Sequence, residues 1–224
     1  SAEEVEAYTT YAKVYRQLDM DFPKSLIETA VTAHYRQGGI DVDTETMASS
    51  VPGLYVAGGL GGHCNGLIAL VTYDGKVVAD SVAADLAALP QPDLPEEQIA
   101  SERKRLESLR ENDAPGTPCA PGEVKEAVRA LMWDKVGVEK DARGLNEALE
   151  EFSRMRRELL PRMRAKTPVR AANYDWLDAI DCVNMIDAAE LVVLSSLQRE
   201  ESRGPFMRRD FPDTDNETWL TANL

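Results

Sequence analysis

Apolar positions recur at three- and four-residue intervals over most of the chain, and the elements they predict are mainly helical. Residues 1–18 put Val5, Tyr8, Tyr11 and Val14 on one side of a helix. A turn at Asp21-Phe22-Pro23 leads into Leu26–Tyr35, apolar and β-branched, which closes on Gly38-Gly39. Ile40–Met47 alternates weakly, and Val51-Pro52-Gly53 reads as a turn. Leu54–Ala57 reads as a short strand, broken by Gly58-Gly59-Leu60-Gly61-Gly62. The spacing then predicts a helix over Leu67–Leu89, with Ala69, Val71, Val77, Val78 and Ala83 among its apolar positions.

Beyond residue 89 the pattern changes. Pro90-Gln91-Pro92-Asp93-Leu94-Pro95 is a linker, and a charged helix follows over about 96–111. Asn112–Pro121, with its prolines and a glycine, is a second break. Glu123–Val136, Ala142–Leu160 and Ala172–Glu200 each carry helical periodicity, which predicts a three-helix bundle. The expected organisation is therefore a first region 1–89, a linker with a charged helix at 90–121, a helical domain at 122–200, and an irregular tail at 201–224. One strand and one helix cannot make a sheet alone. The first third thus reads as the α/β remnant of a larger domain, followed by an all-α three-helix bundle.

The composition agrees with a folded chain. Of 224 residues, 43% are hydrophobic and 29% charged, outside the range of disordered sequences. The formal net charge of -14 opposes nucleic acid and anionic membrane surfaces, so neither is expected as a partner. Cys64, Cys119 and Cys182 are odd in number and lack CxxC spacing, which argues against a disulfide framework or a cysteine zinc site and suits reduced thiols. The longest apolar run, Leu67–Tyr73, is far short of the roughly 20 residues of a membrane span. Ser1-Ala2-Glu3-Glu4 does not resemble a signal peptide, and the start at Ser1 reads as a cut or processed piece. The expected location is cytoplasmic or peripheral to a membrane complex.

Two segments carry candidate chemistry. In Val51-Pro-Gly-Leu-Tyr-Val-Ala-Gly-Gly59, a strand ends on glycines shortly before a helix. Glycines let backbone approach a ligand that a Cβ would block. The helix start near Asn65–Leu67 would aim free N–H groups at a negative or carbonyl oxygen. An ordinary glycine-rich turn fits the same spacing. The second segment is His34-Tyr-Arg-Gln-Gly-Gly39. The chain has two histidines, His34 and His63, each near a glycine pair. Histidine exchanges protons near neutral pH, although an isolated loop histidine usually has no such role.

These segments resemble a family. His34-Tyr-Arg-Gln-Gly-Gly39 and the Val-Pro-Gly-Leu-Tyr-Val-Ala-Gly run ending at Gly58 are similar to motifs of succinate dehydrogenase and fumarate reductase flavoproteins. Glu201-Ser-Arg-Gly204, Arg209-Asp-Phe-Pro-Asp-Thr-Asp215 and Trp219-Leu220 resemble that family's C-terminal signature, and Met132-Trp133 through Gly144-Leu145 its helical domain. The resemblance covers about residues 30–220, with the motifs in the family's order.

The resemblance implies an FAD-dependent oxidoreductase, of which this chain holds the C-terminal part of the FAD-binding and capping region and the helical domain. The glycine-rich pyrophosphate loop is absent, so the N-terminal FAD-binding half would be missing and the FAD site incomplete. Gly38 and Gly39 would lie near the isoalloxazine, and Gly58 and Gly59 near the ribityl-phosphate portion. Asn65, Gly66, Leu67 and Ile68 would face the pyrimidine carbonyl. His34 would bind substrate, with His63 or Arg36 assisting. Electrons would pass to an iron–sulfur or ferredoxin-like subunit. One departure bears on substrate. The family's dicarboxylate enzymes carry an arginine in a longer loop, whereas Leu60–Gly66 here has none, which points to an altered substrate. The other reading is a non-catalytic, partner-docking helical fragment. Trp133, Met155, Met163, Trp176 and Met185 read as bundle core, the charged face of 96–111 as solvated, and Arg203, Arg208 and Arg209 as tail-to-body ion pairs of small individual value.

Overall fold

The computed structural model describes residues 14–15, 17–20, 39–62, 68–86, 93–110 and 116–220. The chain divides into Ser1–Thr32 and Ala33–Leu224. Of the first unit, the described residues form a helical turn that stops at Asp19, where φ is 58°. The rest of the helix expected over 1–18, and the stretch 21–38, lie outside the described residues.

The second unit is rich in helix: α1 (Ile68–Leu86), α2 (Glu96–Ser108), α3 (Pro121–Lys135), α4 (Ala142–Glu158) and α5 (Tyr174–Gln198). Helices α3, α4 and α5 pack pairwise into the expected bundle. The reason is visible in the spacing of the buried positions. On α4 they are Leu145, Ala148, Phe152 and Met155, and on α5 Ala179, Cys182, Ile186, Ala189 and Val193. Alternating three- and four-residue steps keep one stripe facing the partner helices. The helix starts are set by local chemistry. Pro121 sits at the first position of α3, where its missing N–H is no loss. Asp141 accepts from the Gly144 amide at 2.8 Å, and Asn173 from the Trp176 amide at 3.1 Å, so both are N-caps. Asn173 explains why α5 begins at Tyr174 and not at Ala172.

Three expectations need correction. Trp133 is 61% exposed, because it lies five residues beyond buried Val128 and so on another face of α3. Met163 is buried, but after α4, where it bridges to Cys119 in an extended segment. Leu54–Ala57 forms no strand: within 39–62 there are turns and isolated bridges, such as Ala48 with Tyr55. Trp176 is half-buried, donates to the Leu106 carbonyl at 2.8 Å, and thereby ties the largely exposed α2 to α5. Among the described residues no helix is long and apolar enough to cross a membrane.

The tail is more ordered than its composition predicts. A short strand, β1 (Glu139–Lys140), pairs in parallel with β2 (Met207–Arg208). Arg208, 2% exposed, donates to the Ser196, Leu197 and Arg199 carbonyls at the end of α5. It also forms a two-pronged pair with Asp210, at 2.8 and 2.7 Å. Asp210 in turn accepts from the Ala142 amide at the start of α4, at 2.9 Å. A cation thus meets one helix's C-terminal carbonyls and an anion meets another's N-terminal amides, which is the favourable sense for both dipoles. Glu201, fully buried, accepts from Arg199, Arg203 and the Asp215 amide.

These pairs make the tail sensitive to acid. The Arg203 guanidinium holds the Glu201 carboxyl down to about 2, and Arg208 does the same for Asp210. Both folded values lie below the ordinary 4.5 and 3.8. The stability they contribute is therefore complete above the ordinary values and is lost as pH falls through them toward about 2. Urea midpoints measured from pH 6 to pH 2 should fall steeply below about pH 4.5 in the wild type and less steeply in Glu201→Gln. Equal slopes would contradict this role for Glu201.

Candidate functional site

The two glycine segments, some twenty residues apart in sequence, meet in the structure. The Ile40 amide donates to the Leu60 carbonyl at 3.0 Å, and the Gly62 amide to the Ile40 carbonyl at 3.0 Å. Gly39 therefore lies against the Gly58–Gly62 turn, and a Cβ on it would meet the Leu60 carbonyl oxygen at 3.3 Å. The turn closes on itself through the Gly61 amide and the Gly58 carbonyl, 2.9 Å apart. Gly58 has φ +82°, a conformation that side-chain-bearing residues seldom adopt. The lead-in to the turn is fixed as well. The Val56 amide donates to the Met47 carbonyl at 3.0 Å, and Asp43 holds the preceding turn through the Glu45 and Thr46 amides.

Helix α1 holds this assembly from one side. Buried Asp74 accepts from the Gly58 amide at 3.0 Å, and Tyr55 donates its hydroxyl to Asp85. Asp74 and Asp85 are eleven residues apart, three helical turns, and so share a face. The first turn of α1 contains no acidic residue, and Ile68 there is 87% exposed. The result is a side-chain-poor backbone surface held against α1, suited to a ligand with polar edges.

A groove of about 450 Å³ lies elsewhere, between α2 and Trp176. Its Glu102 and Glu107 are committed to Arg105 and Arg110, so it presents no free acid–base pair.

A family model for the fumarate reductase flavoprotein C-terminus matches residues 125–224. The matching polypeptide of the fumarate reductase (CoM/CoB) of Methanothermobacter marburgensis is 28% identical, over 98% of this chain and 40% of that protein. L-aspartate oxidase of Streptomyces coelicolor is 27% identical, over 86% of this chain and 33% of its own length. The solved structure of Mycobacterium smegmatis Sdh1 in complex with UQ1 superposes with a TM-score of 0.84 at 30% identity, covering 96% of this chain and 37% of that one. Residues 125–224 belong to the fumarate reductase flavoprotein C-terminal family, and the chain as a whole is similar to the C-terminal part of succinate dehydrogenase/fumarate reductase flavoproteins. It spans about two fifths of the length of the first of these relatives.

Of the residues expected at the site, Gly39, Gly58, Gly59 and Ile68 are described: Gly58 and Gly59 lie in the turn and Gly39 lies against it. His34, Arg36, Gly38, His63, Asn65, Gly66 and Leu67 lie outside the described residues. The sequence reading overlooked Asp74 and the Tyr55–Asp85 pair. A signal for Asp74 existed: it is an acid at helical spacing from the apolar Val71 and Val78.

Proposed function

We propose that this chain is the flavin-proximal and helical part of an FAD-dependent oxidoreductase acting on a C–C bond of an organic acid or related substrate. The observation that carries this reading is the pairing of Gly39 with the Gly58–Gly62 turn, which Asp74 holds against α1. The bare backbone there fits a flat cofactor with polar edges. FAD, when bound, supplies hydride chemistry. Gly39, Gly58 and Gly59 give it close backbone approach, and Asn65, Gly66, Leu67 and Ile68 meet its carbonyl edge. His34 binds or polarises the substrate through an imidazole nitrogen, with His63 or Arg36 assisting. The pyrophosphate contacts come from polypeptide outside this chain. The Methanothermobacter relative is named as one subunit of its enzyme, which supports an assembly, with electrons passing through an iron–sulfur or ferredoxin-like partner.

The relatives named for fumarate and aspartate support an organic acid. A dicarboxylate is best held by a bidentate arginine, and Leu60–Gly66 contains none, which supports a substrate other than fumarate or succinate. With FAD-loaded protein and reduced viologen under anaerobic conditions, fumarate reduction should be slow or absent. Robust fumarate turnover by the intact flavoprotein would overturn the altered substrate, and an intact flavoprotein that takes up no FAD would overturn the class. The self-contained core spanning 119–193 favours the second reading, a helical docking domain without catalysis. A colourless but helical purified chain would support that reading.

A further inference from the structure

We propose that Asp74 is a positioning residue, which sets the orientation of the flavin-facing glycine turn by holding the Gly58 amide. The proposal rests on the flavin reading of that turn. Helix α1 is mostly apolar, yet its one buried residue is this aspartate, 3% exposed. A carboxylate is costly to bury and is kept where it is hydrogen-bonded. Its oxygen lies 3.0 Å from the Gly58 amide nitrogen.

Both polar groups of the Gly58 backbone are thereby engaged: the amide with Asp74, the carbonyl with the Gly61 amide. Val71, one helical turn before Asp74, fills the space on the Cα side, where a Cβ on Gly58 would stand 3.1 Å from its Cγ1. The turn can neither rotate its peptide nor slide along α1 without breaking one of these contacts. Asp74 lies six residues after Ile68, roughly 9 Å along the helix. It therefore fixes the distance between the glycine turn and the helix start. Neither feature could be set by glycines alone, since glycine has the freest backbone of any residue.

The test uses the full chain carrying Asp74→Ala, which removes the acceptor, or Asp74→Asn, which keeps one. Three quantities are read: hydrogen exchange of the Gly58 amide in ¹⁵N-labelled protein, FAD affinity by flavin fluorescence, and helicity by circular dichroism. Asp74→Ala should speed Gly58 exchange and weaken FAD binding about tenfold, with helicity retained. Asp74→Asn should stay within about threefold of the wild type in both. Unchanged Gly58 exchange in Asp74→Ala overturns the proposal, and so does fast exchange with unchanged FAD affinity. If Asp74→Ala loses helicity, Asp74→Asn decides, and fast Gly58 exchange there overturns the proposal. A wild type that binds no FAD overturns the flavin reading instead, and its Gly58 exchange still shows whether the anchor exists.

Discussion

Replacing Arg208 with alanine is expected to lower the unfolding free energy by about 3–5 kcal/mol, the cost of losing several charge-assisted hydrogen bonds made by one buried guanidinium. The side chain is 2% exposed and bridges elements distant in sequence. It donates to the Ser196, Leu197 and Arg199 carbonyls and pairs with Asp210, which itself holds the Ala142 amide. Its loss uncaps the end of α5 and leaves Asp210 with the Ala142 amide but without its guanidinium partner. Cation–π contact with Phe211, 4.9 Å from its ring centroid, goes as well. For a chain of this length the change corresponds to a fall of roughly 6–20 °C in Tm. Arg208→Lys should rescue little, because an ammonium cannot reach the helix carbonyls and both Asp210 oxygens together. Thermal and urea unfolding check this, and a loss under about 1 kcal/mol in Arg208→Ala would return the tail to the class of weak surface pairs.

The second large effect is at Gly58. Gly58→Ala combines a left-handed φ of +82° with a Cβ 3.1 and 3.3 Å from the Val71 methyls. The conformational cost is about 1–2 kcal/mol and the overpacking about 1–3 kcal/mol. On the flavin reading, FAD affinity falls between about 30- and 5,000-fold if that strain distorts the turn. Val71→Ala on the same background should recover the steric part and leave the conformational part, so the two substitutions should couple. Flavin fluorescence titrations of the four proteins check this. Unaltered FAD affinity in Gly58→Ala would remove the turn from the cofactor surface.

Much of the helical domain was legible because a bundle writes its contacts into the spacing of one sequence. The stripe from Ala179 to Val193 is its own evidence. Trp133 misled because aromatic size suggests burial, while its angular position on α3 places it outside. The tail misled for a different reason. Arg203, Arg208 and Asp210 look like solvated charges in sequence, and the burial of Arg208 between its partners depends on the end of α5 lying near the start of α4. The candidate site was legible as two glycine clusters but not as one surface. Nothing local in Gly39 or Gly58–Gly62 announces that Ile40 will hydrogen-bond between Leu60 and Gly62. Asp74 was hidden for the same reason: its partner is the Gly58 amide, sixteen residues back.

The central claim is that Gly39 and the Gly58–Gly62 turn form the surface that meets FAD. Amide spectra of the ¹⁵N-labelled chain, recorded during titration with FAD, test it most directly. The account predicts that the shifts concentrate on Gly39, Ile40, Gly58–Gly62 and the start of α1, while the bundle core at Leu145, Phe152 and Ile186 stays still. Saturable FAD binding that leaves those glycine amides unmoved would contradict it.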